Sequence, residues 1–155
     1  ERKFLVRNTA YRREASETFE MVQAFLSTTP ERTVRVRKIG DKGWLTIKGI
    51  TRGGGTTRRE WEYAIPGDEA ASLLEICLPG AIHKTRFTVP FGGQVFEVDE
   101  FHGENQGLVL AEVELPSADT AFNKPHWLGE EVTGDPAYYN SQLSLKPYST
   151  WNKEG

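Results

Sequence analysis

Glu60-Trp61-Glu62-Tyr63 sets two acids and two aromatic rings at alternate positions, the period at which successive side chains of a β-strand point to opposite faces. The wider stretch 58–65 therefore reads as a strand with Arg58, Glu60 and Glu62 on one side and Trp61 and Tyr63 on the other. Working outward, residues 1–6, 33–39, 43–49, 82–89, 94–100 and 108–115 repeat this alternation and give seven candidate strands. Gly40-Asp41-Lys42, Gly53-Gly54-Gly55 and Gly92-Gly93 separate neighbouring strands as turns, and 102–107 is a longer loop. The triple glycine lacks the Gly-Lys-Ser/Thr ending and the following helix of a phosphate-binding loop, so it reads as a hairpin connection.

Between the strands lie helical patterns. Phe19, Val22 and Leu26 recur at helical spacing over 16–26 and are stopped by Thr28-Thr29-Pro30. Asp68 caps a second pattern over 68–78, with Ala70, Ala71, Leu74 and Cys77 on its inner side and Pro79-Gly80 ending it. After Pro116 the pattern changes to short helical pieces, one of them over 136–143 behind Thr133-Gly134-Asp135. The expected architecture is α+β: one domain over 1–155, an antiparallel sheet that closes on itself with short flanking helices, and 117–155 as a C-terminal helical extension. An eighth strand is expected within a stretch that reads as loop.

The residues two apart on the strands carry most of the charge. One face collects seven bases, Lys3, Arg35, Arg37, Lys48, Arg58, Lys84 and Arg86, and seven acids, Glu1, Glu60, Glu62, Glu97, Asp99, Glu112 and Glu114. The opposite face carries Phe4, Val6, Val34, Val36, Leu45, Ile47, Phe96, Val98, Val113 and Leu115. Two arrangements accommodate this: the charged face is the solvated side of a two-layer sandwich, or it lines the inside of a barrel. A solvated strand face mixes Thr, Ser and Gln with Lys, whereas these positions are almost wholly Arg, Lys, Glu and Asp, and the signs are sorted by strand. Inside a barrel such charges stay ionised only in a wet bore occupied by counter-charges, because desolvating an unpaired ion costs several kcal/mol. Basic forks suit phosphate oxygens, and clustered carboxylates suit hard cations such as Mg2+ or Mn2+.

Composition excludes other classes. With 155 residues, 37% hydrophobic and 26% charged, the chain has the makings of an ordinary core. A formal charge of -3 gives no global basic field for nucleic acid or an anionic membrane. Its apolar runs fall well short of the ~20 residues of a membrane span, and no signal-peptide core stands at the N-terminus. Cys77 is the single cysteine, so no internal disulfide forms, and a reducing, cytoplasmic setting is expected. His83, His102 and His126 lack the paired spacing of a zinc site.

The charged motifs, taken in order, resemble the CYTH superfamily of triphosphate tunnel metalloenzymes, and within it the bacterial inorganic triphosphatase branch. Glu1-Arg2-Lys3-Phe4-Leu5-Val6 resembles the second half of the Glu-x-Glu-x-Lys signature. Arg35-Val36-Arg37, Leu45-Thr46-Ile47-Lys48-Gly49, Glu60-Trp61-Glu62-Tyr63, Ile82-His83-Lys84-Thr85-Arg86, Val98-Asp99-Glu100-Phe101 and Leu110-Ala111-Glu112-Val113-Glu114-Leu115 follow. Trp127-Leu128-Gly129-Glu130-Glu131-Val132-Thr133 and Tyr138-Tyr139-Asn140 complete the series. The resemblance implies a closed eight-stranded tunnel that hydrolyses the terminal phosphate of a small-molecule triphosphate with Mg2+ or Mn2+, as a monomer or homodimer.

Carried over, Arg35, Arg37, Lys48, Arg58, Lys84 and Arg86 are the implied phosphate set with Lys3 beside them. Glu1, Glu60, Glu62, Asp99, Glu112 and Glu114 are the implied metal set, and Lys3, Glu62 and Glu114 are implied in catalysis. Two departures accompany this. The first glutamate of the signature belongs two residues before Glu1, and Phe25 stands where several members place a tyrosine, which leaves the general base unassigned. Residues 125–127 and the stretch to Trp151 are expected to pack over one mouth of the barrel, with a lid or plug as the functional alternative. Other activities on this fold are hydrolysis of thiamine or nucleoside triphosphates and adenylate cyclisation. A non-catalytic polyphosphate- or nucleotide-binding module is the alternative of another class.

Overall fold

The structure is a computed structural model that describes residues 1–50, 58–117 and 119–151, Arg58 by its backbone alone. The triple glycine lies outside the described residues. Nine strands form one sheet: β1 (Arg2–Val6), β2 (Glu17–Ser27), β3 (Arg32–Ile39), β4 (Lys42–Ile50), β5 (Arg58–Pro66), β6 (Ile82–Phe91), β7 (Gln94–Phe101), β8 (Val109–Val113) and β9 (Leu128–Glu131). Their order is β5-β4-β3-β2-β6-β7-β8-β1-β9, and every neighbouring pair is antiparallel. Among the described residues no ladder joins β5 to β9, so hydrogen bonds do not close the expected eight-stranded barrel: the sheet is antiparallel with nine strands and two edges.

The sheet nevertheless curls. Arg35 on β3 and Glu112 on β8 are four ladders apart, about 19 Å on a flat sheet, yet both line one cavity. Curvature of this kind turns one face into a trough.

Two of the nine strands differ from the sequence expectation. The stretch 16–26 is not a helix but most of β2, which pairs with β3 on one side and β6 on the other. Phe19, Met21, Gln23 and Phe25 share the trough face with Arg86, Lys84, Arg37 and Arg35 across the ladders, while Val22, Ala24 and Leu26 take the other side. Apolar residues therefore occupy both faces, the strand alternation is lost, and the leftover spacing of Phe19, Val22 and Leu26 imitates a helical turn. The helix that does precede β2 is the single turn α1 (Tyr11–Glu14). The second difference is β9, which lies in the stretch expected to be helical and pairs with β1. Beyond it the expected 136–143 helix is divided at Tyr139, whose extended backbone separates the 3-10 turn Pro136–Tyr138 from α3 (Asn140–Leu145).

The main core sits outside the trough. Phe4, Phe87, Val89, Phe96, Val98, Ala111 and Val113 project from the convex face and meet Tyr11 and Trp127. Trp127 is wholly buried, edge-on to Tyr11 and Phe96; removing such a ring costs about 3–5 kcal/mol. Helix α2 (Gly67–Glu75) packs over the β3–β5 end of the same face. There a Cβ on Gly43 would come within 2.5 Å of the Ala70 Cβ, so only glycine permits this approach.

A second cluster closes one end of the trough. Ile82, Phe101, Leu108 and Leu110 pack against Leu143 of α3, with Leu5, Tyr138, Tyr148 and Trp151 around them. Gly80, at φ +101, lets the Ser144 carbonyl approach to where a Cβ would stand. No helix among the described residues is long and apolar enough to cross a membrane.

Candidate functional site

Strand register decides which charges meet. Lys3 lies opposite Glu112, Arg86 opposite Asp99, Thr33 opposite Lys48, Arg35 opposite Thr46, Thr46 opposite Glu62 and Lys48 opposite Glu60. All share the concave face. A cavity of about 430 Å³ opens there, lined by Glu1, Lys3, Phe25, Thr33, Arg35, Arg37, Thr46, Lys48, Lys84, Arg86, Glu112, Tyr139, Asn140 and Ser141. Eight of the sequence-predicted residues thus come together.

The β6–β7 wall is saturated with its own partners. Asp99 accepts from Arg86 Nε at 2.7 Å and Nη2 at 2.9 Å and forms an ion pair with Lys84 Nζ at 2.9 Å. Arg86 Nη1 also reaches Glu97 at 3.1 Å. Burial alone would raise the Asp99 carboxyl, but the two cations hold it far below the usual carboxylate range. Burial lowers the Lys84 ammonium to about 8 against the pull of Asp99, so it is still largely charged at neutral pH. Arg86, although buried, is held above the ordinary arginine range by Asp99.

The β3–β5 wing is loosely paired. Arg35 stands 3.7 Å from Glu62 and Lys48 stands 4.0 Å from Glu60, and both carboxylates are about half exposed. Arg35 Nη2 donates to Thr46 Oγ1 at 3.2 Å, and Thr46 in turn donates to Glu62 at 2.9 Å. Among the described residues the buried Arg35 Nε has no hydrogen-bond partner, a donor in want of an acceptor. Burial lowers the Arg35 guanidinium from its ordinary value, with Glu62 opposing.

Arg37 is different again. Its Nε donates to Gln23 Oε1 at 2.9 Å, and among the described residues it is the cavity cation with no carboxylate within 4.0 Å. Burial, then the neighbouring Arg35 and Arg86, hold it well below the ordinary arginine range at about 9, which leaves it charged at neutral pH.

Across the trough, Lys3 Nζ lies 3.4 Å from Glu112 and donates to the Tyr138 carbonyl at 3.1 Å. Glu1 faces Glu112. Burial raises the Glu1 carboxyl, and Glu112 raises it further by like charge and by a shared hydrogen bond. Two carboxyl groups competing for one proton form a pair that a divalent cation relieves, and Mg2+ is commonly held by one or two carboxylates with phosphate oxygens and water completing its shell. The donor set fits such an ion. No group of three or more His, Cys, Asp or Glu among the described residues is placed to hold a metal without further ligands.

The remaining expected residues stand apart. Asp99 belongs to the ion cluster behind the cavity, Glu60 and Glu62 sit at the exposed edge, and Glu114 is exposed just past the end of β8. The Arg58 side chain lies outside the described residues. Gln23, Thr46 and Asn140 are among the polar residues of the site that the sequence reading missed. Gln23 was hidden by the helical spacing of 16–26; Thr46 shares a face with Lys48 two positions on and was legible from that alone. Asn140, in the Tyr138-Tyr139-Asn140 motif, carried no sign of its reach into the trough.

The chain as a whole resembles known proteins. Residues 1–144 match the CYTH domain. The chain belongs to the CYTH domain family. An inorganic triphosphatase of Acetivibrio thermocellus is 45% identical to this CYTH domain over 154 residues, 99% of this chain and 97% of the relative. An inorganic triphosphatase of Nitrosomonas europaea is 36% identical over 149 residues, 94% of this chain and 95% of the relative. A crystal structure of an inorganic triphosphatase superposes with a TM-score of 0.70 at 33% identity, covering 93% of this chain and 95% of that one.

Proposed function

We propose that this CYTH domain is an inorganic triphosphatase that releases orthophosphate from tripolyphosphate with Mg2+ or Mn2+. The observation that carries this reading is Arg37: a half-buried guanidinium that has no carboxylate partner among the described residues, beside an Arg35 Nε with no acceptor among them, in a cavity whose far side holds the Glu1–Glu112 pair. A surplus of positive charge partly withdrawn from water is stabilised by a polyanion. The two near-full-length relatives named inorganic triphosphatases support the same reaction class.

The chain's own residues divide the work. Arg35, Arg37 and Lys48 take phosphate oxygens from the β3–β4 side and Lys3 from the β1 side, with Arg58 assigned to the same set by its place on β5. Lys84 and Arg86, fixed by Asp99 and Glu97, hold the wall of the trough and leave the direct contacts to the others. Glu60 and Glu62 release Lys48 and Arg35 when phosphate enters, since exposed ion pairs are weak. Glu1 and Glu112 would hold the divalent ion, with Glu114 at the same end of the trough. When bound, that ion neutralises phosphate charge and acidifies water. Catalysis is then mostly positioning and charge neutralisation: water adds to the terminal phosphorus, the bond to the bridging oxygen breaks, and pyrophosphate leaves as Lys3 and the arginines balance the shifting charge.

Phosphate release from tripolyphosphate, ATP and thiamine triphosphate, each with Mg2+, with Mn2+ and with chelator, tests the proposal. Metal-dependent release from tripolyphosphate in preference to the other two is expected. No metal-dependent release from any of them contradicts the enzyme reading, and preference for ATP or thiamine triphosphate contradicts the inorganic one.

A further inference from the structure

The floor of the trough contains a chain of neutral amides that the proposed phosphate and metal sets leave unexplained. Arg37 Nε donates to Gln23 Oε1 at 2.9 Å, Gln23 Nε2 donates to Asn140 Oδ1 at 2.9 Å, and Lys84 Nζ donates to the same Asn140 oxygen at 3.0 Å. Gln23 is fully buried. The relay links two cations on opposite sides of β2 through side chains with no charge of their own.

We propose that Gln23 and Asn140 are positioning residues that orient Arg37 and Lys84 while leaving Arg37 without a counter-ion, so that the bound polyphosphate supplies it. The inference rests on the triphosphate reading of the cavity. Gln23 occupies Arg37 Nε and, among the described residues, no hydrogen bond or ion pair takes the two terminal nitrogens of the Arg37 fork. The contrast with Arg86 is direct, since Asp99 and Glu97 take all three of its nitrogens. A carboxylate where Gln23 stands would turn Arg37 into a second Arg86: ion-paired, stable and closed to ligand. An amide fixes the ring of donors without quenching the charge. Asn140 adds a second element to the device, because it starts α3 and so ties the C-terminal segment to the cation array.

This makes an unusual prediction about which substitution does more harm. Gln23→Glu, nearly the same shape, is expected to weaken calorimetric binding of tripolyphosphate in chelator by at least about tenfold, the scale of one lost charge-assisted contact. Its urea midpoint is expected to equal or exceed that of the unaltered protein. Gln23→Met removes the relay without adding charge; it is expected to lower the midpoint by leaving Arg37 Nε unpaired and Asn140 Oδ1 with Lys84 as its remaining donor, yet to weaken binding less than Gln23→Glu. In Mg2+ the Gln23→Glu deficit is expected in KM, with kcat within about threefold. A purely structural role reverses the order in binding, with Gln23→Met weaker than Gln23→Glu, and that order overturns the inference. So does binding by Gln23→Glu within twofold of the unaltered protein. Asn140→Asp repeats the test at the cavity-lining end of the relay should Gln23→Glu lose cooperative unfolding; unaltered binding there likewise overturns it. Binding of tripolyphosphate without turnover by the unaltered protein defeats the triphosphatase reading alone and leaves the Gln23 comparison readable, whereas no binding at all defeats both.

Discussion

The two sides of the trough carry the same residue types and use them in opposite ways. On the β6–β7 wall, Lys84, Arg86 and Asp99 are buried and bonded to one another at 2.7–2.9 Å. On the β3–β5 wing, Arg35 and Lys48 stand 3.7 and 4.0 Å from half-exposed glutamates, and Arg37 meets an uncharged amide. A charge enclosed with its partner is fixed because separating the pair strands an ion in low dielectric. A charge paired weakly at a wet edge exchanges its partner at little cost. The wall therefore holds the shape of the trough, and in the proposed function the wing accepts the ligand.

The largest effect is expected where the wall is broken. Asp99→Asn leaves Lys84 and Arg86 buried without their shared carboxylate and is predicted to cost about 3–5 kcal/mol in urea unfolding. The same residue sets an acid dependence. Its folded carboxyl lies below the ordinary 3.8, so it contributes stability above that value and loses the contribution as pH falls below it. The variant is expected to show a shallower loss of stability below pH 3.8 than the unaltered protein; equal slopes and equal midpoints would place the wall's stability elsewhere.

Breaking the wing is expected to separate function from stability. Arg37→Ala should raise KM for tripolyphosphate by roughly 10- to 100-fold, the range for truncating a largely desolvated charge that pairs with its ligand. Its urea midpoint should stay level or rise, since a half-buried cation with no carboxylate partner among the described residues goes with the side chain. An unchanged KM, or a stability loss matching Asp99→Asn, would erase the distinction between the two sides.

How much of this was legible in the sequence follows the same division. Strands with one apolar and one charged face, such as β5 and β8, announced themselves by alternation, and so did the charged lining. β2 did not, because the trough gives it a partly apolar concave face in Phe19, Met21 and Phe25 as well as a buried convex face in Ala24. Hiding β2 also hid Gln23. Register is a tertiary property: alternation placed Asp99 and Glu112 on one face with the same charge, but only pairing opposite Arg86 and opposite Lys3 made the first a sealed counter-ion and the second a cavity residue. The reach of Asn140 depends on a chain segment returning over the trough, which no local pattern encodes.

The division between a fixed wall and an exchangeable wing is tested most directly by the 15Nε–1H NMR signals of the arginine side chains during titration with tripolyphosphate. The account predicts that the Arg35 and Arg37 signals shift with ligand while that of Arg86, held by Asp99, stays in place. A shift of Arg86 with no movement of Arg35 and Arg37 would contradict it.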